Sequence, residues 1–181
     1  MFTITIPHEI EYPFSFFHMD LRDPSPLHSV GGPGGELKIG QFGIASAENR
    51  IEIFPATSGL TGHQTADKFG LRGHGPLPDS RAIDGKYALS TEGYPSAKAG
   101  GLFFHITPDP VHLTQIALAF AELNKAMIRA DLGLHWDNRK PGTSGCTGII
   151  YSGDFDVICA TLLGFHRQGK LTIPHYVTYD W

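Results

Sequence analysis

The chain has 181 residues, 41% hydrophobic and 18% charged, enough for one well-filled globular core or one domain with an added arm. Its formal net charge is −4 and no block of five or six basic residues occurs, so nothing electrostatic favours a nucleic-acid partner or an anionic membrane surface. No apolar run approaches membrane-spanning length, so no membrane insertion is expected, and 22 glycines with 13 prolines favour a turn-rich β fold over a helical bundle.

Phe2 to Ile6 alternates as a strand does. The start, Met1 to Pro7, lacks a basic segment followed by an apolar one, so no signal peptide is expected. Residues 13 to 35 hold Pro13, Pro24, Pro26, Pro33 and the glycines 31, 32, 34 and 35, which reads as a long irregular arm. Residues 1–50 are accordingly expected to form an N-terminal strand and accessory arm on a unit covering 51–181. Leu37 to Ala45 and Arg50 to Pro55 read as a strand pair around the polar turn 46–49. Segments 58–62 and 73–78 read as turn-rich loops, 82–89 as a turn plus strand, and Gly101 to Thr107 as a strand.

Asp109 and Pro110 suit a helix start, and Leu113, Ile116, Phe120, Leu123 and Met127 recur at helical spacing after them. Leu132 to His135 reads as a short strand. Asp154 is placed to cap a second helix through Ile158, Leu162 and Phe165, ended by Gly169. Leu171 to Tyr179 closes the chain as a strand. The expected fold class is mainly β with two helices, an α+β arrangement.

The chemistry concentrates in one segment. His135 and Cys146 stand eleven residues apart, across a glycine-punctuated loop. A thiol is a strong nucleophile only as thiolate, and a nearby imidazole is the usual means of making one near neutral pH. Glycines beside the cysteine let a carbonyl approach the backbone and let N–H groups hold an oxyanion. Free cysteine is usually buried, but Thr143-Ser144-Gly145-Cys146-Thr147-Gly148 is a polar loop, a poor core and a good nucleophile setting. Cys159 instead falls on the apolar face of the second helix and reads as core. Trp136 and Tyr87 could form a substrate wall. His63 and Asp67 resemble part of a zinc motif without its remaining ligands, so neither metal nor cofactor is expected.

Two other readings stand beside this one. A papain-like order would pair Cys146 with a later histidine, His166 or, better, His175. A non-catalytic binding or structural module, which a resemblance to cell-wall and phage proteins would make a peptidoglycan-binding or phage structural one, would keep the fold without the reaction.

Arg129, Gly133-Leu134-His135-Trp136-Asp137 and Pro141-Gly142-Thr143-Ser144-Gly145-Cys146 together resemble the L,D-transpeptidase catalytic domain family (YkuD-like), closest to a shorter-loop branch of phage and bacterial effector-like proteins. Ser58-Gly59, Gly75-Pro76-Leu77-Pro78 and Gly85-Lys86-Tyr87 resemble further elements of that family. The likeness covers roughly residues 50 to 181. Ser144 stands where the family usually has histidine, and Gly148 where it usually has arginine or asparagine.

The resemblance implies an L,D-transpeptidase-like β-sandwich. It implies a thioester route in which Cys146 attacks a carbonyl of a peptidoglycan peptide stem, with the N–H groups of Cys146, Gly145 and Ser144 as oxyanion donors. His135 would be the base, oriented by the main-chain carbonyl of Trp136 or by the Asp137 side chain. Arg129 or Arg139 would take over the substrate contact that Gly148 cannot make. It further implies action in the periplasm or cell wall, with a delivery or immunity protein as a possible partner.

Overall fold

The computed structural model describes residues 11–22, 37–65, 68–69, 73–82, 87–107, 111–112, 128–129, 131–138 and 142–180. The expected strand at Phe2 to Ile6 lies outside them, as does most of the expected first helix. Eleven strands, one α-helix and a short 3-10 helix (Ser80–Ala82) occur among the described residues: β1 (Phe14–Asp20), β2 (Gly40–Ala47), β3 (Arg50–Leu60), β4 (Tyr87–Ser90), β5 (Tyr94–Ser96), β6 (Gly101–Thr107), β7 (Val111–His112), β8 (Ile128–Arg129), β9 (Gly133–Trp136), β10 (Gly142–Ile149), α1 (Ser152–Arg167) and β11 (Thr172–Asp180).

The strands run in the order β4-β11-β1-β2-β3-β10-β9-β6-β5, and β4 also pairs with β6. That last pairing closes eight strands into a barrel and leaves β5 appended to β6. The architecture is therefore a closed barrel with one described helix, which corrects the expected two-helix α+β sandwich. Closure satisfies the backbone groups that a sandwich would leave at its sheet edges. The expected helix start at Pro110 is also overturned, because Val111 and His112 pair antiparallel with Arg129 and Ile128.

β1 is the second correction. Phe14–Asp20 falls inside the expected irregular arm, yet it is a stave of the barrel, parallel to β11 and antiparallel to β2. Both of its faces are covered. Phe17 and Met19 join the main core, while Phe14 and Phe16 pack with Ala45 and Tyr176 in a small separate cluster. The Phe16 ring lies so close over Gly43 that a Cβ there would come within 2.2 Å of it.

The remaining strands follow their sequences. β2 and β3 pair through the turn at 47–50. β11 alternates buried and half-exposed residues along its length. α1 buries Phe155, Ile158, Leu162 and Phe165, which meet Phe104, Leu134 and Ile149 in the main core. Its N-cap is Tyr151, without a side-chain cap, and Asp154 sits in the first turn, where a negative charge favours the helix dipole. Gly169 ends it at φ 83°, and the amides of Gly169 and Lys170 bond back to His166 and Phe165.

His175 shares the inward face of β11 with Ile173, Val177 and Tyr179 and is fully buried. Its ring lies 6.0 Å from that of Phe42 and 6.3 Å from that of Tyr87. Nδ1 is 3.0 Å from the Ser15 hydroxyl, and Nε2 has no partner among the described residues. Burial pushes its pKa down from 6.5 to about 3. Between those values the unfolded chain binds a proton that the folded chain refuses. Stability should thus fall as pH drops through this window, at a limiting slope of about 1.4 kcal/mol per pH unit. Denaturant titrations of wild type and His175→Leu across that range should show the variant losing part of the acid dependence; equal slopes would contradict this account.

Candidate active site

β9 and β10 pair in parallel, with Leu134 beside Thr147, His135 beside Gly148 and Trp136 beside Ile149. Leu134 and Ile149 belong to the core. Since side chains alternate along a strand, His135, Cys146 and Gly148 lie on the opposite face of the barrel wall. There a cleft of about 840 Å³ opens, lined by His135 and Cys146 together with Ser144, Trp136 and Asp137. Leu60, Tyr94, Lys98, Phe103, Asp131 and Asn138 are among its other walls.

The His135 ring is held on one edge. Nδ1 lies 2.8 Å from the carbonyl of its neighbour Trp136. A carbonyl only accepts, so Nδ1 carries the proton and the neutral ring keeps Nε2 as its basic nitrogen. Between the two expected orienting groups, the bond goes to the Trp136 carbonyl and not to Asp137. Phe103 stacks on the imidazole, 6.0 Å between centroids and 18° between planes.

Asp137 has a different task. Its Oδ2 accepts the amide of Gly142 at 2.8 Å and so ties the start of β10 to the end of β9. Burial raises its pKa, opposed by that amide and by the nearby His135 charge.

The backbone of Cys146 is pinned from below. Pairing of β10 with β3 is interrupted between Gly142 and Thr147, a bulge of the kind that re-aims side chains beside active sites. Gly145 within it has φ 114°, a conformation favouring glycine. The Cys146 carbonyl accepts the hydroxyls of Ser58, at 2.9 Å, and of Thr143. Ser58 Oγ in turn accepts the Leu77 amide at 2.7 Å, and Tyr87 donates its hydroxyl to the Pro78 carbonyl at 2.9 Å. The upstream segments around 58–59, 75–78 and Tyr87 thus meet as one support beneath the cysteine. Tyr87 is fully buried in it and forms no substrate wall. Cys146 as a residue is 9% exposed, and its thiol donates to the Asp131 carbonyl at 3.4 Å. Asp131 holds the unusual φ of 60°.

Other expected site residues separate. Ser144 is exposed on the cleft wall, and Trp136 is half-buried between cleft and core. Arg129 lies in β8, across from Val111. Arg139 lies outside the described residues. A Cβ on Gly148 would come within 2.6 Å of the Thr143 methyl and 3.0 Å of Asp137 Cβ, so a larger residue beside His135 would have to displace them. His175 faces the barrel interior and Cys146 the cleft, so a papain-like pairing of Cys146 with His175 lacks the juxtaposition it needs. Cys159 is half-buried, and desolvation with the Asp156 charge pushes its thiol up to about 11, an inert setting. Among the described residues no group of three or more His, Cys, Asp or Glu could hold a metal ion.

Sequence reading passed over Phe103, Ser58 and Thr143 as individual contributors. Phe103 gives no signal, because its relation to His135 exists only across two strands. No family model, curated protein or solved structure matches this chain.

Replacing Ser58 by alanine removes one donor from the Cys146 carbonyl and strands the buried Leu77 amide. The variant should lose about 1–3 kcal/mol of stability, and its Cys146 should alkylate with altered kinetics. A denaturant midpoint and a thiol-labelling rate equal to wild type would refute the support role.

Proposed function

We propose that this chain is a cysteine acyltransferase or peptidase in which Cys146 is the nucleophile and His135 the base. The observation that carries the reading is the imidazole held on one edge by the Trp136 carbonyl, on the wall of the same cleft as the thiol. Nε2 of His135 takes the Sγ proton, which in the resting thiol is directed at the Asp131 carbonyl. The thiolate forms a C–S bond to a substrate carbonyl carbon, and the developing oxyanion is held by backbone amides of residues 144–146 in the irregular part of β10. The C–N bond then breaks and the imidazolium returns its proton to the leaving amine. An amine or water attacks the resulting thioester and regenerates the thiol, giving transfer or hydrolysis respectively.

The substrate class rests on the motif resemblance of residues 129–148, which favours peptide stems of peptidoglycan, cut or exchanged at an L-residue next to a D-centre. Asp137 supports the chemistry at one remove, by anchoring Gly142 and by placing a carboxyl near the imidazole that gains charge during the reaction.

A carbapenem offers a strained amide to such a thiol, and intact-protein mass spectrometry reads the adduct. Wild type should gain one adduct, Cys146→Ala none, and His135→Ala should label at least about 100-fold more slowly at neutral pH. An adduct that persists in Cys146→Ala would overturn the assignment of the nucleophile. Product masses from purified muropeptides then separate the outcomes: a shortened stem means hydrolysis, and a dimer or exchanged residue means transfer.

A further inference from the structure

The glycine two residues before His135 has a physical reason that leads to another residue. A Cβ on Gly133 would come within 2.3 Å of Phe103 Cζ and 2.5 Å of its Cε1. The bare backbone at 133 is therefore the berth of the Phe103 ring. Phe103 pairs directly with His135 across β6 and β9, and its ring stacks on the imidazole at 6.0 Å with only 18° between planes. The same ring thus covers the backbone of Gly133 and one face of the imidazole.

We propose that Phe103, seated over Gly133, is the positioning residue for the His135 base, fixing the plane in which Nε2 meets the Cys146 thiol. The Trp136 carbonyl restrains one edge of the imidazole but leaves rotation about that hydrogen bond open. A flat ring against the face removes this freedom. Aromatic stacking of this kind contributes modestly to stability, whereas a small misplacement of a reacting group costs rate steeply. The ring row continues outward, since His105 meets Phe103 edge-on at 4.9 Å and Tyr94 at 5.2 Å. Tyr94 is also the register partner of Phe103 on β5. Phe103 is therefore itself braced from the side away from His135.

The inference rests on the thiol–imidazole reading above, and the test separates the two. Iodoacetamide alkylation of Cys146 is followed against pH in wild type, Phe103→Tyr, Phe103→Leu, Phe103→Met and His135→Ala, with thermal melting as a folding control. Phe103→Tyr should keep the wild-type profile because it keeps the flat ring. The leucine and methionine variants should react about tenfold more slowly at pH 7. Both should converge with wild type above the ordinary thiol range near 8.5, where ionisation no longer needs a base. Melting should move little, as Phe103 is only half-buried. If leucine or methionine leaves the neutral-pH rate unchanged while His135→Ala lowers it, the positioning role is overturned and the catalytic pair survives. If His135→Ala also leaves the profile unchanged, the pair itself fails. A variant that melts early is replaced in the comparison by the other, since leucine and methionine remove the same flat face with different shapes.

Discussion

The parallel register between β9 and β10 sets His135 beside Gly148, and the features of the cleft follow from it. Core packing of Leu134 and Ile149 fixes which face of the wall each strand turns inward, so His135 and Cys146 emerge together on the other face. A slip of one residue would send His135 into the core and Leu134 into the cleft. Glycine at 148 suits this register, because Thr143 and Asp137 already fill the space a side chain would need.

Barrel closure is what holds the register. β4 pairs with both β11 and β6, so no described strand of the eight-membered ring is left as a free edge that could shift. On that frame the cysteine is fixed through its own carbonyl by two hydroxyls, and the histidine through a carbonyl on one edge and a ring on one face. Each restraint acts on a group whose position matters to within fractions of an ångström, and each comes from a strand or its immediate continuation. Sites built on such elements are held more precisely than sites on free loops.

Part of the candidate cleft was legible in the sequence, and less of the fold. His135 and Cys146 stand out as a histidine and a glycine-flanked cysteine in one short segment, but the expected polar loop around the cysteine is the largely buried strand β10, in which Cys146 is itself buried. Trp136 and Asp137 were named as alternatives for one role and turn out to divide two, the carbonyl orienting the imidazole and the carboxylate anchoring Gly142. Phe103 was invisible, since a cross-strand stack leaves no local pattern. β1 escaped for a related reason. A strand buried on both faces has no alternation to read, and Pro13 with the following proline- and glycine-rich stretch masks its bounds. Closure depends on Ser15 meeting His175 from the far end of the chain, a pairing that no window of sequence contains. The sandwich came from the motif resemblance alone, and motif likeness speaks to a site before it speaks to a fold.

Nitrogen NMR of the His135 ring, recorded with the Cys146 thiol free and again with it alkylated, tests the central claim most directly. The ring is expected to be the tautomer with its proton on Nδ1, toward the Trp136 carbonyl, and its Nε2 signal to move when the thiol is blocked. The opposite tautomer, or an Nε2 signal unchanged by alkylation, would contradict it.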